Sequence, residues 1–439
     1  MATKNRKRFI ILTTVFWLLY CIFFNLFGYK ASVVASITVV LLFFFLETGK
    51  KWLFTLSALP FMGMFKIAPS MPSTSVILYL ILIIDTLSHG YKLKQKFFIR
   101  FIACAGIQFV LALIYESSLL TLISIIINLL FINQSCELLN SLGDEKQQFF
   151  FDATLIYLFS TVVMSLMALI YPGMAKTVVD VYQSIYINGT LTARYSGLAG
   201  DPNYYCQLIT IALSLTISIF LVRRIRMRQT ILLAMCAALL LYCGVLTLSK
   251  SYYVTVAIIF AASFYYLYKQ SIKNRLLMGF LMVLTPLIIY AGYYLLINFV
   301  LPGIYQRITS TVDLTSGRTE IWGSYFKLIF SRIDVLMVGA GVNNAKNLLI
   351  PFYGKAQAAH NVFIELLADY GIVGCILLFG MFSSWFKMFV KNLNKPMVMY
   401  FLAFLATAMS LSLSAYDTIC FVIPMLCLLP NETEEINRV

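Results

Sequence analysis

The chain has 439 residues, of which 61% are hydrophobic and only 12% are charged. This composition excludes an ordinary soluble domain, in which about 25% of residues are charged. A formal net charge of +15 would indicate nucleic-acid binding in a soluble chain, but here membrane topology explains the basic residues. No nucleic-acid partner is therefore expected.

Apolar runs of about 20 residues recur along the chain, and a helix of that length crosses the hydrocarbon core of a bilayer. Because lipid admits only helices or closed barrels, the sequence predicts an all-α, polytopic helical membrane protein with about 12–14 transmembrane helices. Residues 1–439 are expected to form a single integral membrane domain. The predicted spans are 9–28, 31–47, 51–66, 74–88, 97–115, 118–133, 150–171, 204–222, 229–248, 251–268, 276–299, 362–388, 397–414 and 417–430.

Lys and Arg residues are distributed unevenly between the two sides of these spans. With the N-terminus inside, the short outer loops hold only Lys30, Lys66, Lys176, Arg194 and Lys250. Since an excess of Lys and Arg marks the cytoplasmic side, both termini are predicted to be cytoplasmic. Two polar segments are then extracytoplasmic: a first outer loop, 172–203, and a large loop, 301–360, which is the expected catalytic loop.

Residues 318–330 of the large loop are predicted to form a short amphipathic helix. Its apolar face consists of Ile321, Trp322, Tyr325, Phe326, Ile329 and Phe330. Such a helix is expected to lie on the membrane surface. Arg318 then stands at its N-terminus, where backbone N–H groups favour anions.

Four cationic positions stand out on the predicted outer side: Arg194, Lys250, Arg318 and His360. Singly, each has a simpler explanation, because Lys and Arg at helix ends commonly extend to lipid headgroups. As a set, they favour a phosphate-bearing substrate, which Arg binds with two parallel hydrogen bonds. His360 can also accept and return a proton near neutral pH, and the other histidine, His89, is predicted on the opposite side.

The residues that follow His360 carry polar groups at a helical spacing. Asn361, Glu365 and Asp369 recur every four residues and line one face of the entering helix. Acids within a span normally face a polar cavity or a partner, and the alternative is that Asp369 lies near the surface because the span starts late.

The nine Cys residues show no metal-ligand spacing, and the outer side has no D-x-D pair because Asp201 and Asp313 are isolated, so no metal is expected. No P-loop or nucleotide-binding motif is present, and no cofactor is expected. Fixed positive charges would then stabilise the leaving group.

At these residues the chain resembles the O-antigen ligase/polymerase family of bacterial envelope glycosyltransferases. The resemblance extends over about residues 190–375 and rests on the order and spacing of several short motifs. The motifs are Arg194-Tyr195-Ser196-Gly197, Asp201-Pro202-Asn203, Ser249-Lys250, Ser316-Gly317-Arg318, Trp322, Gly339-Ala340-Gly341 and His360-Asn361. Lys250 departs from the more usual Arg and keeps only its charge.

The resemblance implies a metal-independent transfer of a glycan from an undecaprenyl-pyrophosphate carrier to a sugar hydroxyl, at the outer face of the bacterial cytoplasmic membrane. Arg194, Lys250 and Arg318 would hold the pyrophosphate, and His360 would be the general base. The expected supporting residues are Asn203, Asn361, Glu365 and Trp322. A chain-length regulator and a flippase are further candidate partners.

Three functions fit the sequence. The first is a polymerase that joins lipid-linked repeat units, and the second is a ligase that moves the finished glycan to a lipid A core or a protein. Both need the same donor site, and the polymerase is preferred because no dedicated lipid A or protein acceptor site is evident. The third is a transporter or flippase for a lipid-linked sugar, in which Asp85 and Asp152 would serve within the membrane.

Overall fold

The computed structural model describes residues 3–68, 73–172, 182–187, 190–223, 225–271, 290, 294, 317–411 and 416–429. The predicted span 276–299 lies outside the described residues, apart from Tyr290 and Tyr294. The same holds for 301–316 of the large loop and for 173–181 of the first outer loop.

Helices account for most of the described residues. They are α1 (Thr3–Phe27), α2 (Tyr29–Phe43), α3 (Thr48–Ala58), α4 (Ser75–Ser88), α5 (Gln95–Ile114), α6 (Leu119–Asn140), α7 (Lys146–Ile170), α8 (Pro202–Val222), α9 (Met227–Leu246), α10 (Lys250–Ser271), α11 (Arg318–Ser331), α12 (Ile333–Val338), α13 (Ala345–Leu348), α14 (Ile350–Tyr353), α15 (Val362–Lys391), α16 (Met399–Ala408) and α17 (Tyr416–Met425).

The lengths of the apolar helices fit a bilayer. Among the described residues, eight are long and apolar enough to cross one, namely α1, α5, α6, α7, α8, α9, α10 and α15. Shorter apolar helices begin at Tyr29, Ser75, Pro396 and Asp417. The protein is therefore an all-α, multi-pass membrane protein. The predicted span 51–66 forms only the 11-residue helix α3 and a 3₁₀ turn at Leu59–Phe61.

The chain divides into two compact units, and aromatic side chains fill the core of the first. This unit comprises Met1–Ser160, Gly317–Asn392 and Ala408–Val439. Trp17 of α1 stacks on Phe61 with ring centroids 4.4 Å apart, and Tyr79 of α4 stacks on Phe131 of α6 at 4.2 Å. All four side chains are fully buried. Close ring packing thus joins α1 to the 3₁₀ turn and α4 to α6.

The acids that a transporter would use are held in ion pairs within this unit. Asp85 accepts from Lys51 at 2.6 Å and also from the hydroxyl of Thr48 at 2.6 Å. Asp152 lies 3.5 Å from Arg6. Asp85 lies in the last turn of α4 and Asp152 in the second turn of α7, and these contacts join α3 to α4 and α1 to α7. A structural role accounts for each of them.

The second unit comprises Thr161–Ser316 and Leu393–Thr407. Its central helix is α8, most of whose side chains are buried. Gln207 of α8 donates to the hydroxyl of Thr407 at 3.1 Å, and Tyr266 of α10 donates to the carbonyl of Leu393 at 2.6 Å. The returning segment 393–407 is therefore packed on α8 and α10.

A β-hairpin in this unit was not predicted from the sequence. Strands β1 (Tyr182–Ile187) and β2 (Thr190–Tyr195) pair antiparallel, with Gln183 opposite Arg194. They form the two-stranded sheet of the described residues. The hairpin matters because β2 carries Arg194 at its penultimate position, just before the turn into α8.

Candidate functional site

The part of the large loop that the structure describes folds into a small helical layer, which we call the insert (residues 317–361). Helices α11 to α14 surround a hydrophobic core of their own. This core consists of Ile321, Tyr325, Leu328, Ile329, Val335, Ala340, Ala345, Leu349, Ala359 and Ala368. Ala368 belongs to α15, so the core also fixes the insert to the first turns of that helix.

The apolar face predicted for 318–330 is divided between two environments. The helix itself is present as α11, with Ile321, Tyr325 and Ile329 buried in the insert core. Phe326 and Phe330 are exposed and stack on each other, with ring centroids 6.2 Å apart. Most of this face therefore packs within the protein. Only Phe326 and Phe330 are available to a membrane surface.

Two glycines attach the insert to a kink in α15. Gly371 has φ 61° and ψ −176°, which interrupts the helix, and Gly339 has φ 89° and ψ 175°. A Cβ on Gly371 would lie 2.5 Å from the backbone nitrogen of Gly339, so only glycine permits this approach. The kink frees two carbonyls, which accept from the insert: Ala340 N donates to Ala368 O at 2.9 Å and Gly341 N to Asp369 O at 3.0 Å. The Gly-x-Gly motif thus completes the hydrogen bonding of a broken helix.

Asp369 faces a partner, which was one of the environments expected for it. Its carboxylate accepts the backbone N–H of Asn343 at 2.8 Å and that of Ala345 at 3.0 Å. The side chain is buried. Because a buried carboxylate requires such hydrogen bonds, Asp369 and the turn that precedes α13 stabilise each other.

Two side chains of α11 hold the segment that leads to His360. Trp322 Nε1 donates to the carbonyl of Ala359 at 2.8 Å, and the Tyr325 hydroxyl donates to the carbonyl of Gln357 at 2.9 Å. Burial raises the pKa of the Tyr325 hydroxyl, which therefore remains a donor at neutral pH. The sequence-predicted supporting residue Trp322 is thus in contact with the residue before His360.

His360 itself is held in a left-handed backbone conformation, with φ 51°. Its backbone N–H donates to Glu365 Oε1 at 3.1 Å, and its ring atom Nε2 lies 3.1 Å from the Gln357 carboxamide nitrogen. Asn361 is the N-cap of α15, since its side chain accepts from the N–H groups of Phe363 and Ile364. The predicted supporting residues Asn361 and Glu365 therefore fix the backbone on both sides of the imidazole.

Arg318 begins α11, as predicted, and is half-buried. Gly317 precedes it in a left-handed conformation, with φ 81°. Trp322 lies one turn further along α11, and residues four apart in a helix are neighbours on one face. The hydrogen bond from Trp322 to Ala359 therefore ties the first turn of α11 to the residue that precedes His360.

The second unit contains the other predicted cations, and Arg194 is the centre of a hydrogen-bond network. The side chain is 7% exposed. Its Nε donates to the carbonyl of Thr247 at 3.0 Å, and Nη2 donates to Asn203 Oδ1 at 3.4 Å. Ser249 donates to the same Asn203 oxygen at 2.7 Å. Burial lowers the pKa of the Arg194 guanidinium, but an Arg side chain keeps its charge in proteins.

Lys250 is brought close to this network by a tight turn. Helix α9 ends at Leu246 and α10 begins at Lys250, and Leu248 between them has φ 48°. Arg194 contacts Thr247 in this turn, while Asn203 contacts Ser249. Arg194, Asn203 and the residue before Lys250 are therefore joined by direct hydrogen bonds.

The start of α8 is fixed by local signals in the Asp201-Pro202-Asn203 motif. The Asp201 carboxylate accepts the N–H groups of Asn203 at 2.7 Å and Tyr204 at 2.9 Å, and Pro202 occupies the first helical turn. Gly197, with φ 55°, allows the ring of Tyr205 to approach its backbone. These contacts orient Asn203 toward Arg194.

The site residues thus form two groups. Arg318, Trp322, His360, Asn361 and Glu365 belong to the first unit, while Arg194, Asn203 and Lys250 belong to the second. Hydrogen bonds join Arg194 to Asn203 and Asn203 to the residue before Lys250, and they join Trp322 to the residue before His360 and His360 to Glu365. The convergence of the two groups on one substrate is part of the proposal below.

Comparison with known proteins finds a similarity over part of the chain. Residues 235–379 match the family model described as O-antigen ligase. This match supports the resemblance of the chain to the O-antigen ligase/polymerase family. The matched segment contains Lys250, Arg318 and His360, whereas Arg194 and Asn203 precede it. Comparison with curated proteins finds no match. The match supports a ligase- or polymerase-like function on lipid-linked glycans in a membrane.

Sequence analysis did not single out Gln357, whose side chain contacts the His360 ring, or Thr247, whose carbonyl accepts from Arg194. Gln357 lies in an irregular segment where no periodicity identifies neighbours. Thr247 could have been identified from the sequence, because it belongs to the short turn that carries Ser249 and Lys250.

Proposed function

We propose that the protein is a polysaccharide polymerase. It joins undecaprenyl-pyrophosphate-linked oligosaccharide repeat units at the outer face of the bacterial cytoplasmic membrane. The donor and the acceptor are both lipid-linked glycans, and no metal ion takes part. Both termini are cytoplasmic, so the insert is on the outer side, where the predicted cations lie.

The observation that carries this proposal is the hydrogen bond between Trp322 and the carbonyl of Ala359, 2.8 Å long. It joins the turn of α11 that begins with Arg318 to the residue before His360. A cation that can bind phosphate and a side chain that can accept a proton are thus supported by one hydrogen-bonded unit. Glycosyl transfer from a pyrophosphate needs these two groups near each other.

In the proposed reaction, one bond forms at the anomeric carbon of the donor sugar as another breaks. The imidazole of His360 takes the proton of an acceptor hydroxyl as that oxygen bonds to the anomeric carbon of the donor sugar. The bond from this carbon to the pyrophosphate oxygen breaks, and the lipid pyrophosphate leaves with the electron pair. General-base assistance of this kind contributes typically about 10²–10⁴-fold in rate.

Arg194, Lys250 and Arg318 are proposed to stabilise the charge of the leaving pyrophosphate. Asn203 supports the proposal because it bonds to Arg194 and Ser249 and so links the cations of the second unit. Fixed cations preorganised at the leaving group need no reorganisation during the reaction, which is why they lower the barrier.

A ligase is the second candidate, and the match to the family model supports it equally. In that case the donor chemistry is unchanged and the acceptor is a lipid A core or a protein. The two functions differ in the product formed when donor is the only glycan present.

The test is transfer by the purified protein in proteoliposomes that contain the lipid-linked repeat unit and no other enzyme. A polymerase converts the single repeat to a ladder of longer lipid-linked glycans. A ligase leaves the donor unchanged until lipid A core or an acceptor protein is added. Transport of the donor without any new glycosidic bond would overturn both proposals.

Single variants test the roles of His360 and Arg318. His360→Ala and Arg318→Ala should each abolish product while the protein still inserts in the membrane and keeps its melting temperature. His89→Ala is the matched control, because His89 is the other histidine and lies at the C-terminal end of α4. Full activity of His360→Ala would remove the general-base assignment.

A further inference from the structure

The outer surface of the insert carries four exposed apolar side chains in a row, which we call the insert stripe. Phe326 and Phe330 lie four residues apart on α11, and Ile333 and Met337 lie four residues apart on α12. Phe330 is 70% exposed and Ile333 is 71% exposed. Residues at this spacing share one helix face. Contiguous exposed apolar patches mark contact with a protein or a membrane.

The height of the insert stripe relative to the spans is set by contacts at the junction of α11 and α12. Arg332, between Phe330 and Ile333, donates to the hydroxyl of Tyr115 at 3.0 Å. The same hydroxyl lies 3.2 Å from a carboxylate oxygen of Asp334. Tyr115 directly follows the last residue of α5, an apolar helix long enough to span the membrane. The stripe is therefore level with the end of a span.

At its other end the stripe continues into the surface of α15. The backbone of Met337 lies against the kink, since its carbonyl carbon is 2.6 Å from where a Cβ on Gly371 would be. Beyond the kink, Ile372, Ile376 and Phe379 are exposed along one face of α15. Exposed apolar side chains on a spanning helix face lipid, so the stripe extends a lipid-facing surface.

The charges near the stripe fit the headgroup layer. Lys327 is exposed on α11 between Phe326 and Phe330, and Arg332 follows the second of these. Asp334 is the acid in this region, and Arg332 pairs with it. Basic side chains beside exposed aromatic residues are typical of helices that lie in a membrane interface.

We propose that the insert stripe is embedded in the headgroup region of the membrane leaflet on the side of the insert. The occupant of this surface is the lipid bilayer. The stripe acts as a second anchor, which holds α11 and its Arg318 at the level of the lipid phosphates. This last consequence rests on the proposed function, because a lipid-linked donor presents its pyrophosphate at that level.

The position of the stripe can be measured without any activity. Phe330→Cys and Ile333→Cys are spin-labelled in nanodiscs, with Lys355→Cys as the control at an exposed site elsewhere in the insert. The native cysteines are buried apart from the half-buried Cys375, which is first replaced by Ala. Power saturation then compares the accessibility of each label to oxygen, which concentrates in lipid, and to a water-soluble nickel complex.

Labels at 330 and 333 should be more accessible to oxygen than to the nickel complex, and the label at 355 should show the reverse. Two results would overturn the proposal. Nickel accessibility at 330 and 333 equal to that at 355 would place the stripe in water. Exclusion of both relaxants would show that protein, such as a second copy, covers it.

Activity supplies a separate readout of the anchor. Phe330→Glu and Ile333→Glu should raise the KM for the lipid-linked donor by about tenfold, since an apolar side chain leaves the bilayer interface and a charge replaces it. Lys355→Glu should leave this KM unchanged. If the labels lie in lipid but no variant or wild-type protein transfers glycan, the proposed function fails and the anchor stands. If wild-type transfers glycan while the labels lie in water, the anchor fails.

Discussion

Gly339→Ala tests whether the insert is held by its contact with the kink in α15. The added Cβ would meet the carbonyl oxygen of Asp369 and would lie 2.5 Å from its carbonyl carbon and 2.6 Å from that of Tyr370. These are backbone atoms, so the insert and α15 must separate. The backbone of Gly339, with φ 89° and ψ 175°, is also in a region that L-residues avoid.

The cost of Gly339→Ala to the free energy of docking the insert on α15 has two contributions. The unfavourable backbone conformation costs about 1–3 kcal/mol. Separation also breaks two hydrogen bonds, from Ala340 N to Ala368 O and from Gly341 N to Asp369 O, each worth about 1 kcal/mol. The total of about 3–5 kcal/mol reduces the ratio of docked to undocked insert by roughly 10²- to 10⁴-fold.

Two other glycines in the insert provide matched controls. Gly354 has φ 83° but nothing within 4 Å of an added Cβ, so Gly354→Ala costs only the left-handed strain of about 1–2 kcal/mol. Gly323 lies within α11 and has open space around it, so Gly323→Ala should stabilise that helix by about 0.5–1 kcal/mol.

Hydrogen–deuterium exchange of residues 340–361 is the direct assay, with glycan transfer as the second readout. Gly339→Ala should lose exchange protection across this segment and lose activity, while both controls keep them. Protection in Gly339→Ala equal to that in Gly354→Ala would refute the reasoning, because it would mean that the close backbone approach is not needed for docking.

Three further predictions follow from individual contacts. Arg194→Lys should reduce transfer strongly, because Lys cannot reproduce both the bond to Thr247 and a two-pronged phosphate contact; full activity would show that charge alone suffices. Asp369→Asn should lower stability by about 1–3 kcal/mol in thermal melts, since one of two bound N–H groups loses its acceptor. Hydrogen bonding to Arg332 lowers the pKa of Asp334, so their pair should stabilise the insert above about pH 4 and be lost as the pH falls below that. Because both side chains are partly exposed, that loss should be about 1 kcal/mol or less in acid melts, and absent in Asp334→Asn.

The spans could be predicted because hydrophobicity over about 20 residues is a local property of the chain. The predicted spans 97–115 and 204–222 correspond to α5 (Gln95–Ile114) and α8 (Pro202–Val222). The hairpin had a local signal too, since Asn188-Gly189 between two β-prone runs is typical of a two-residue turn. A search for long apolar runs does not detect strands of six residues.

The kink and its partner could not be predicted, because they depend on a contact between distant parts of the chain. Gly371 within an apolar run has no local signal for a break, and Gly339 lies in another element. Only when the two backbones meet does the absence of both Cβ atoms become necessary. Asp369 similarly appeared as a costly acid in a span until its two backbone partners were known.

Non-glycine residues with a positive φ link the fold to the proposed chemistry. Among the described residues, four that are not glycine have positive φ. One of them, His360, belongs to the first group of site residues, and another, Leu248, lies in the turn next to Lys250 of the second group. Neither conformation is favoured locally, so each must be imposed by surrounding contacts. Leu248 stands in the turn that Arg194 and Asn203 hold, and His360 is fixed by Glu365 and by the N-cap of α15. The side chains around both positions therefore stabilise backbone geometry that the sequence alone would not adopt, which is the expected property of a preorganised site.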